Sequence, residues 1–580
     1  MPMYAHATDR PRLRRRASAL ALALGVCFLA ACQGPASKAP PPRSEPAAEE
    51  PSTRSPPGAT STDGQDASRL EQVMVTGSRV RAQEAARMAP MLASPAPPSP
   101  LSAPIVNREN YSEIAPNGIH RVAEQPVSTF SIDVDTGAYS NLRRMLHAGQ
   151  RPPSDAVRIE ELINYFRYDY PRPRAGEAPF AFATELAPSP FHRGRLLLQV
   201  ALQTEAMDTR DLPPANLVFL IDTSGSMQDA DKLPLLKRGF ALLVNQLRPQ
   251  DSVAIVAYAG SAGLVLPPTK GSQRGEILAA LERLEAGGST NGGAGIDLAY
   301  AVARQARIPD GINRVILASD GDFNVGTVDH TALETLIADQ RQSGVALSVL
   351  GFGTGNYNEQ TAERLADIGN GNYAYIDSLL EARKVLVAQM GGTLHTLASD
   401  VKIQLEFNPA VVAEYRLLGY ENRLLAREDF DNDRVDAGEI GAGHSVTALY
   451  ELALVGSGGE ANAPLRYAAP APAGTQRSDE IALLRLRYKR PGTEASQLIE
   501  QPIARASLRE QASPELGFAA AVAGYGELLR GGEHAGEMNW DRVEQLAVAG
   551  RGKDRDGLRG EFLQLVGLAR SVSGADISAR

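Results

Sequence analysis

An acid and two hydroxyls stand at the spacing D-x-S-x-S, as Asp222, Ser224 and Ser226, directly after the apolar run Leu217–Ile221. All three offer oxygen and none offers nitrogen or sulfur, a donor set suited to a hard cation such as Mg²⁺. Two more oxygen-bearing segments follow. Gly287-Gly288-Ser289-Thr290-Asn291-Gly292-Gly293 carries Thr290 just before a helical pattern, and Leu317-Ala318-Ser319-Asp320-Gly321-Asp322 puts Asp320 at the end of another apolar run.

These residues need strand ends to hold them. Leu217–Ile221, about five apolar residues bounded by polar turn chemistry, reads as a buried strand. In an open α/β sheet, ligands bind outside the carboxyl ends of such strands. Residues 213–393 repeat strand and helix: helix Lys232–Leu247, strand Ser252–Ala259, a short apolar piece Leu264–Leu266, and helices Gly275–Leu284 and Gly293–Ala306. Strand Arg314–Ser319, helix Thr331–Ser343, strand Ala346–Gly351, helix Glu359–Ile368, strand Tyr373–Ile376 and helix Ser378–Met390 continue the alternation. The fold class predicted is α/β, with a mostly parallel sheet covered by helices on both faces.

The flanks follow a different pattern. Residues 105–212 predict a helix plus strands. In Thr129–Thr136 apolar and polar residues alternate, and Asp133 and Asp135 share the polar face, either solvated or ligating a second cation. Leu196–Gln203 alternates as a sheet with one wet face does. Residues 394–510 are β-rich, with strands at Val401–Phe407, Val411–Gly419, Ser445–Val455 and Ile481–Tyr488. The strands of 180–204 are expected to join these, with the α/β domain inserted in one sandwich. Residues 511–580 predict three helices, the first opened by Ser513-Pro514-Glu515 as N-cap, Pro at the first helical position and a first-turn acid.

D-x-S-x-S at one strand end, Thr290 in a Gly-rich loop and Asp320 at another strand end together resemble the von Willebrand factor type A domain and its metal-ion-dependent adhesion site. The resemblance implies that Ser224, Ser226 and Thr290 touch the metal and that Asp222 and Asp320 act largely through bound waters. Mg²⁺ takes six oxygens at about 2.1 Å and parts reluctantly with its waters; Mn²⁺ or Ca²⁺ are the alternatives. Neutral hydroxyls leave positive charge uncompensated, so an open position favours an Asp or Glu carboxylate from a protein partner. N-R-E-N-Y at 107–111, F-S-I-D-V-D-T-G at 130–137, R-I-E-E-L-I-N-Y-F at 158–166, Y-E-N-R-L-L-A at 420–426 and D-A-G-E-I-G-A-G-H at 436–444 resemble YfbK-type bacterial A-domain proteins. That likeness covers roughly 107–570 and supplies no ligand.

The N-terminus reads as an address. Residues 1–31 carry a basic stretch (Arg10, Arg12, Arg14–Arg16) and an apolar stretch too short to span a bilayer. Leu29-Ala30-Ala31-Cys32 resembles the lipobox of bacterial lipoproteins, which implies lipidation at Cys32. Gln33 after it implies the outer membrane, and the expected location is the cell envelope, facing the periplasm. Residues 32–104, rich in Pro, Ala and Ser, are expected to be a disordered tether. Within it, 71–81 resembles a stretch near the plug of TonB-dependent receptors. Either it is an inherited fragment without a present role, or it pairs with a TonB-linked partner's sheet edge.

Composition narrows the function. A formal net charge of −9 and a pI of about 5.6 give no support for nucleic-acid binding. Both cysteines, Cys27 and Cys32, lie in the first 32 residues, so the folded body has no disulfide framework, zinc thiolate or thiol nucleophile. G-x-G-x-G at Gly351, Gly353 and Gly355 has the wrong spacing and the wrong strand for a dinucleotide fingerprint. Ser224 lacks a G-x-S-x-G elbow. The expectation is a binding protein rather than an enzyme, with a scaffolding protein whose metal only braces the loops as the alternative.

Overall fold

The computed structural model describes residues 109–578, apart from 175–177, 209, 322–329, 356, 390, 391, 393, 394, 436, 464–478 and 494. Every described residue belongs to the unit Pro97–Arg580. The readings on residues 1–31, Cys32, the tether, the 71–81 segment and Asp322 lie outside the described residues.

The chain opens with β1 (His120–Arg121), β2 (Val127–Ser131), α1 (Gly137–His147), α2 (Ile159–Asn164), β3 (Phe180–Pro188) and β4 (Arg195–Thr204). The α/β region follows with β5 (Ala215–Asp222), α3 (Leu233–Val244), β6 (Ser252–Tyr258), β7 (Ala262–Lys270), α4 (Arg274–Glu282) and α5 (Gly292–Gln305). It continues through β8 (Ile312–Ser319), α6 (His330–Arg341), β9 (Ala346–Phe352), α7 (Glu359–Ile368), β10 (Tyr373–Ile376) and α8 (Leu379–Arg383). Its sheet has the order β10-β9-β8-β5-β6-β7, parallel except for β7. Every residue of β5 is buried. Leu217, Phe219 and Ile221 enter one core and Val218 and Leu220 the other, which is why the run is apolar without alternation. β7 runs far past Leu264–Leu266, and as the antiparallel edge it tolerates Pro267 and Pro268. The last predicted helix is shorter: α8 gives way to a π-helical turn, Lys384–Ala388.

β11 (Thr396–Phe407), β12 (Val412–Leu418), β13 (Gly438–Gly441), β14 (Ser445–Leu454), β15 (Glu480–Lys489) and β16 (Gln497–Ala504) come next. β4 pairs with β14 (Leu198 opposite Tyr450) and β2 with β11 (Phe130 opposite Ile403). Strands from before and after the α/β region therefore share two sheets, and Phe130, Leu202, Leu405, Phe407, Tyr450 and Leu484 fill the space between them. The α/β region is inserted in that sandwich.

Two expectations are corrected here. The second face of β4 is not wet. Helices α9 (Pro514–Arg530), α10 (Trp540–Ala549) and α11 (Leu558–Ser578) join α1 and α2 over it. Leu197 and Ala201 share a core with Phe166, Phe518 and Phe562, and Gln199 is 3% exposed with its amide donating to Tyr170 Oη at 2.8 Å. Asp133 and Asp135 do not form a solvated strand face, because β2 stops at Ser131. Asp135 is buried and accepts the Tyr373 N–H at 3.0 Å, and Arg423 stands 3.4 Å from each of the two carboxylates.

Arg423 also pairs with Glu363 (2.7 Å) and Asp367 (2.9 Å) of α7, while Arg158 reaches Glu161, Glu359 and Glu363. The F-S-I-D-V-D, R-I-E-E-L and Y-E-N-R segments thus build an ionic clasp that fastens the sandwich and its helices to the α/β region.

Candidate metal centre

The sheet order reverses at β5: the chain proceeds to β6 on one side, and β8 lies on the other. In open α/β sheets, the crevice at such a reversal is where ligands sit. The parallel register sets Ile221 beside Ala318, so Asp222 and Ser319–Asp320 emerge together. Asp222 and Asp320 are both 0% exposed and Ser224 is 1% exposed. Ser226 and Thr290 are half-buried.

Asp222 is held at both oxygens. Oδ1 accepts the Ser224 N–H at 2.9 Å, and Oδ2 accepts Tyr258 Oη–H at 3.2 Å and Ser319 Oγ–H at 3.1 Å. Burial pushes its carboxyl up to about 6, against the pull of the Ser224 N–H and hydroxyl, with the Asp320 charge adding to the rise. Ser224 Oγ and Ser226 Oγ lie 3.0 Å apart. The two hydroxyls share a hydrogen bond at that distance, and adjacent oxygens of an octahedron with metal–oxygen bonds of about 2.1 Å are also about 3.0 Å apart, so the pair is compatible with ligating one Mg²⁺.

The Thr290 loop is stitched to the Ser224 loop through the backbone. The Gly225 N–H donates to Gly288 O at 3.0 Å, and the Gly287 N–H to Thr223 O at 2.8 Å. After β8 the chain turns at Gly321, whose φ is +86°; a Cβ there would stand 2.6 Å from Asn358 N. A side chain at that position is excluded both by strain and by space.

The structure thus brings Asp222, Ser224, Ser226 and Asp320 to two neighbouring strand ends, with Thr290 in a loop tied to the first. These residues could hold a divalent cation by oxygen alone. Three other residues of the centre were not singled out from the sequence. Ser319 and Tyr258 fix Asp222, and Lys232 sets its Nζ 3.0 Å from Asp320 Oδ2. Ser319 sits next to Asp320 and could have been read with it, whereas nothing in the spacing marks Tyr258 or Lys232. His192, the histidine nearest before Ser224 in the sequence, pairs with Glu451 at 3.0 Å. Among the described residues no cluster of three or more His, Cys, Asp or Glu could hold a metal.

Family models match three stretches of the chain. A family model described as von Willebrand factor type A domain matches residues 217–322, and one described as von Willebrand factor matches 105–199. A third, "Uncharacterized protein YfbK, C-terminal", matches 392–572. The chain is 48% identical over 475 residues to the "Uncharacterized protein YfbK" of Escherichia coli (strain K12), covering 81% of this chain and 82% of that one. It is 28% identical over 186 residues to the "Uncharacterized protein sll0103" of Synechocystis, 32% of this chain and 43% of that one. Among solved structures, a von Willebrand factor type A protein from Catenulispora acidiphila matches with a TM-score of 0.39 at 18% identity, covering 66% of this chain and 89% of that one. A von Willebrand factor type A fold implies a protein-interaction or scaffolding role, and proteins of this kind are generally non-catalytic. With nearly half of the aligned residues identical across most of both chains, this protein belongs to the YfbK family of von Willebrand factor type A proteins.

Proposed function

We propose that this protein is a lipid-anchored envelope protein that grips a protein partner through a divalent cation. Asp222, Ser224, Ser226, Thr290 and Asp320 hold the ion, Mg²⁺ in preference to Mn²⁺ or Ca²⁺, and a partner's Asp or Glu completes its coordination. The observation that carries this reading is the 3.0 Å separation of the Ser224 and Ser226 hydroxyls at the reversal point of the sheet. Oxygen-only donors, three of them neutral hydroxyls, support a hard cation left short of negative charge. The role is binding rather than catalysis.

Lipidation at Cys32 and a tether through residue 104 would place the body at the outer membrane, facing the periplasm. The 71–81 segment is either a fragment without a present role or a second contact, to a TonB-linked partner. The alternative, a scaffold whose metal only braces the loops, has less support: the two loops are already joined by two backbone hydrogen bonds.

The test is capture from outer-membrane fractions with the full chain as bait, in Mg²⁺ and in chelator, read by mass spectrometry. Metal-bridged binding predicts partners that vanish with chelator and with Asp222→Ala. Identical partners in all three conditions would leave only the scaffold. Deleting 71–81 without changing the partner profile would remove the TonB-linked contact.

A further inference from the structure

Lys232 ends the loop that leaves Ser226, and its side chain turns back into the protein rather than out to water. It is 6% exposed, and its Nζ lies 3.0 Å from Asp320 Oδ2, on a residue 0% exposed. The space for its stem is made by Gly353, just past β9, where a Cβ would stand 2.3 Å from Lys232 Cε and φ is +74°. The G-x-G-x-G segment therefore has a local purpose: its middle glycine is a channel for a lysine. Lysine is rarely this buried without a reason, because removing an ammonium from water is costly unless a charge repays it.

We propose that Lys232 is the built-in counter-charge of the metal centre. Without metal, its ammonium takes the cation's part against Asp320, one buried charge facing another at 3.0 Å. With metal, Lys232 leaves the centre one unit more positive. Asp222, Asp320 and Lys232 sum to a single negative charge, so a divalent ion leaves a net positive centre that favours an anionic partner ligand. Without the lysine the loaded centre would be neutral. Lys232 thus holds metal affinity down and sharpens the preference for a carboxylate, acting as a positioning and tuning residue. This inference rests on the metal-binding reading above.

The test compares the full chain with its Lys232→Met and Lys232→Arg variants by MgCl₂ titration calorimetry and by thermal unfolding in chelator and in saturating MgCl₂. Lys232→Met is expected to bind Mg²⁺ on the order of tenfold more tightly, since one like charge is removed from the ion's surroundings. Its unfolding temperature should fall in chelator and recover in Mg²⁺, while Lys232→Arg keeps wild-type affinity. A merely structural lysine would produce the same deficit in both buffers, and that result, or unchanged or weaker Mg²⁺ binding, overturns the proposal. If Lys232→Met does not fold in chelator, Lys232→Met/Asp320→Asn decides: recovered folding supports the pairing, and a variant that still fails to fold overturns it. Wild-type protein that binds no Mg²⁺ overturns this inference and the metal reading together. Wild-type binding with an unaltered Lys232→Met overturns this inference alone.

Discussion

Replacing Arg423 by Met tests whether the ionic clasp holds the α/β region to the sandwich. The guanidinium is 11% exposed and meets four carboxylates: Glu363 at 2.7 Å, Asp367 at 2.9 Å, and Asp133 and Asp135 at 3.4 Å. Burial works against its charge, but the carboxylates of Asp133, Asp367, Glu363 and Asp135 more than offset that and raise its pKa well above the ordinary value. Breaking a buried pair by removing one partner costs about 3–5 kcal/mol, because the other charge is left behind. The Met variant should therefore lose about 3–5 kcal/mol at pH 7.5, read by urea unfolding under far-UV circular dichroism. The loss should shrink in acid. Burial, with Asp133 and Glu363 nearby, already pushes Asp367 up to about 8 against the pull of Arg423, and Asp133 and Asp135 are raised by burial as well. Without the arginine these groups hold protons more readily, so at pH 5 the deficit should fall by about 1–2 kcal/mol, one proton per pH unit being worth about 1.4. A loss below about 1 kcal/mol at pH 7.5, or one that is equal at both pH values, would refute the clasp as an electrostatic device.

Three further outcomes are expected. Glu359 is pushed up to about 8, mainly by burial and by Glu161 and Glu363, against the pull of Arg158. A carboxyl raised in the folded state stabilises it below the ordinary pKa and loses that contribution as pH rises through the folded value. Wild-type stability should therefore decline by up to about 1.4 kcal/mol per pH unit from this group toward pH 8, and Glu359→Gln should flatten the curve in urea midpoints. Asp222, raised to about 6, must lose its proton to help hold a cation. Mg²⁺ affinity measured calorimetrically should then fall about tenfold per unit below pH 6, and an affinity flat from pH 7 to 5 would contradict this. Ser226→Ala or Thr290→Ala should weaken Mg²⁺ binding with little change in metal-free unfolding temperature, because each removes one oxygen from a half-buried loop; a large drop would make the loops structural instead.

The sequence was most legible where one chain segment determines its own surroundings. β5 is buried on both faces, so its apolar run and abrupt polar end sufficed to place it. Ser513 caps α9 by accepting the Leu516 N–H at 3.2 Å, a bond local to one turn. The bounds of β10, Tyr373–Ile376, were read without error. Legibility failed where distant segments cover a surface. Leu197 and Gln199 sit in an alternating pattern, and nothing near them announces helices more than three hundred residues away. β13 and β16 were missed because a four-residue strand and an exposed edge strand carry little apolar signal. At the candidate centre, the residues proposed to hold the ion are marked in the sequence by the D-x-S-x-S spacing, a Gly-rich loop and the end of an apolar run. Tyr258 and Lys232 support those residues from other elements, and their roles appear only when β5, β6 and β8 stand side by side. In the sequence the charged family motifs carry a likeness alone. Their physical content, carboxylates gathered around Arg158 and Arg423, required the fold.

The central claim is that the end of β5 is a divalent-cation centre. Calorimetric titration of MgCl₂ into the chelator-treated full chain tests it most directly, with Asp222→Ala as the control and circular dichroism to verify its fold. One Mg²⁺ should bind per chain in the wild type, with no binding heat in the folded variant. No saturable Mg²⁺, Mn²⁺ or Ca²⁺ binding to the wild type, or binding that survives Asp222→Ala unchanged, would contradict it.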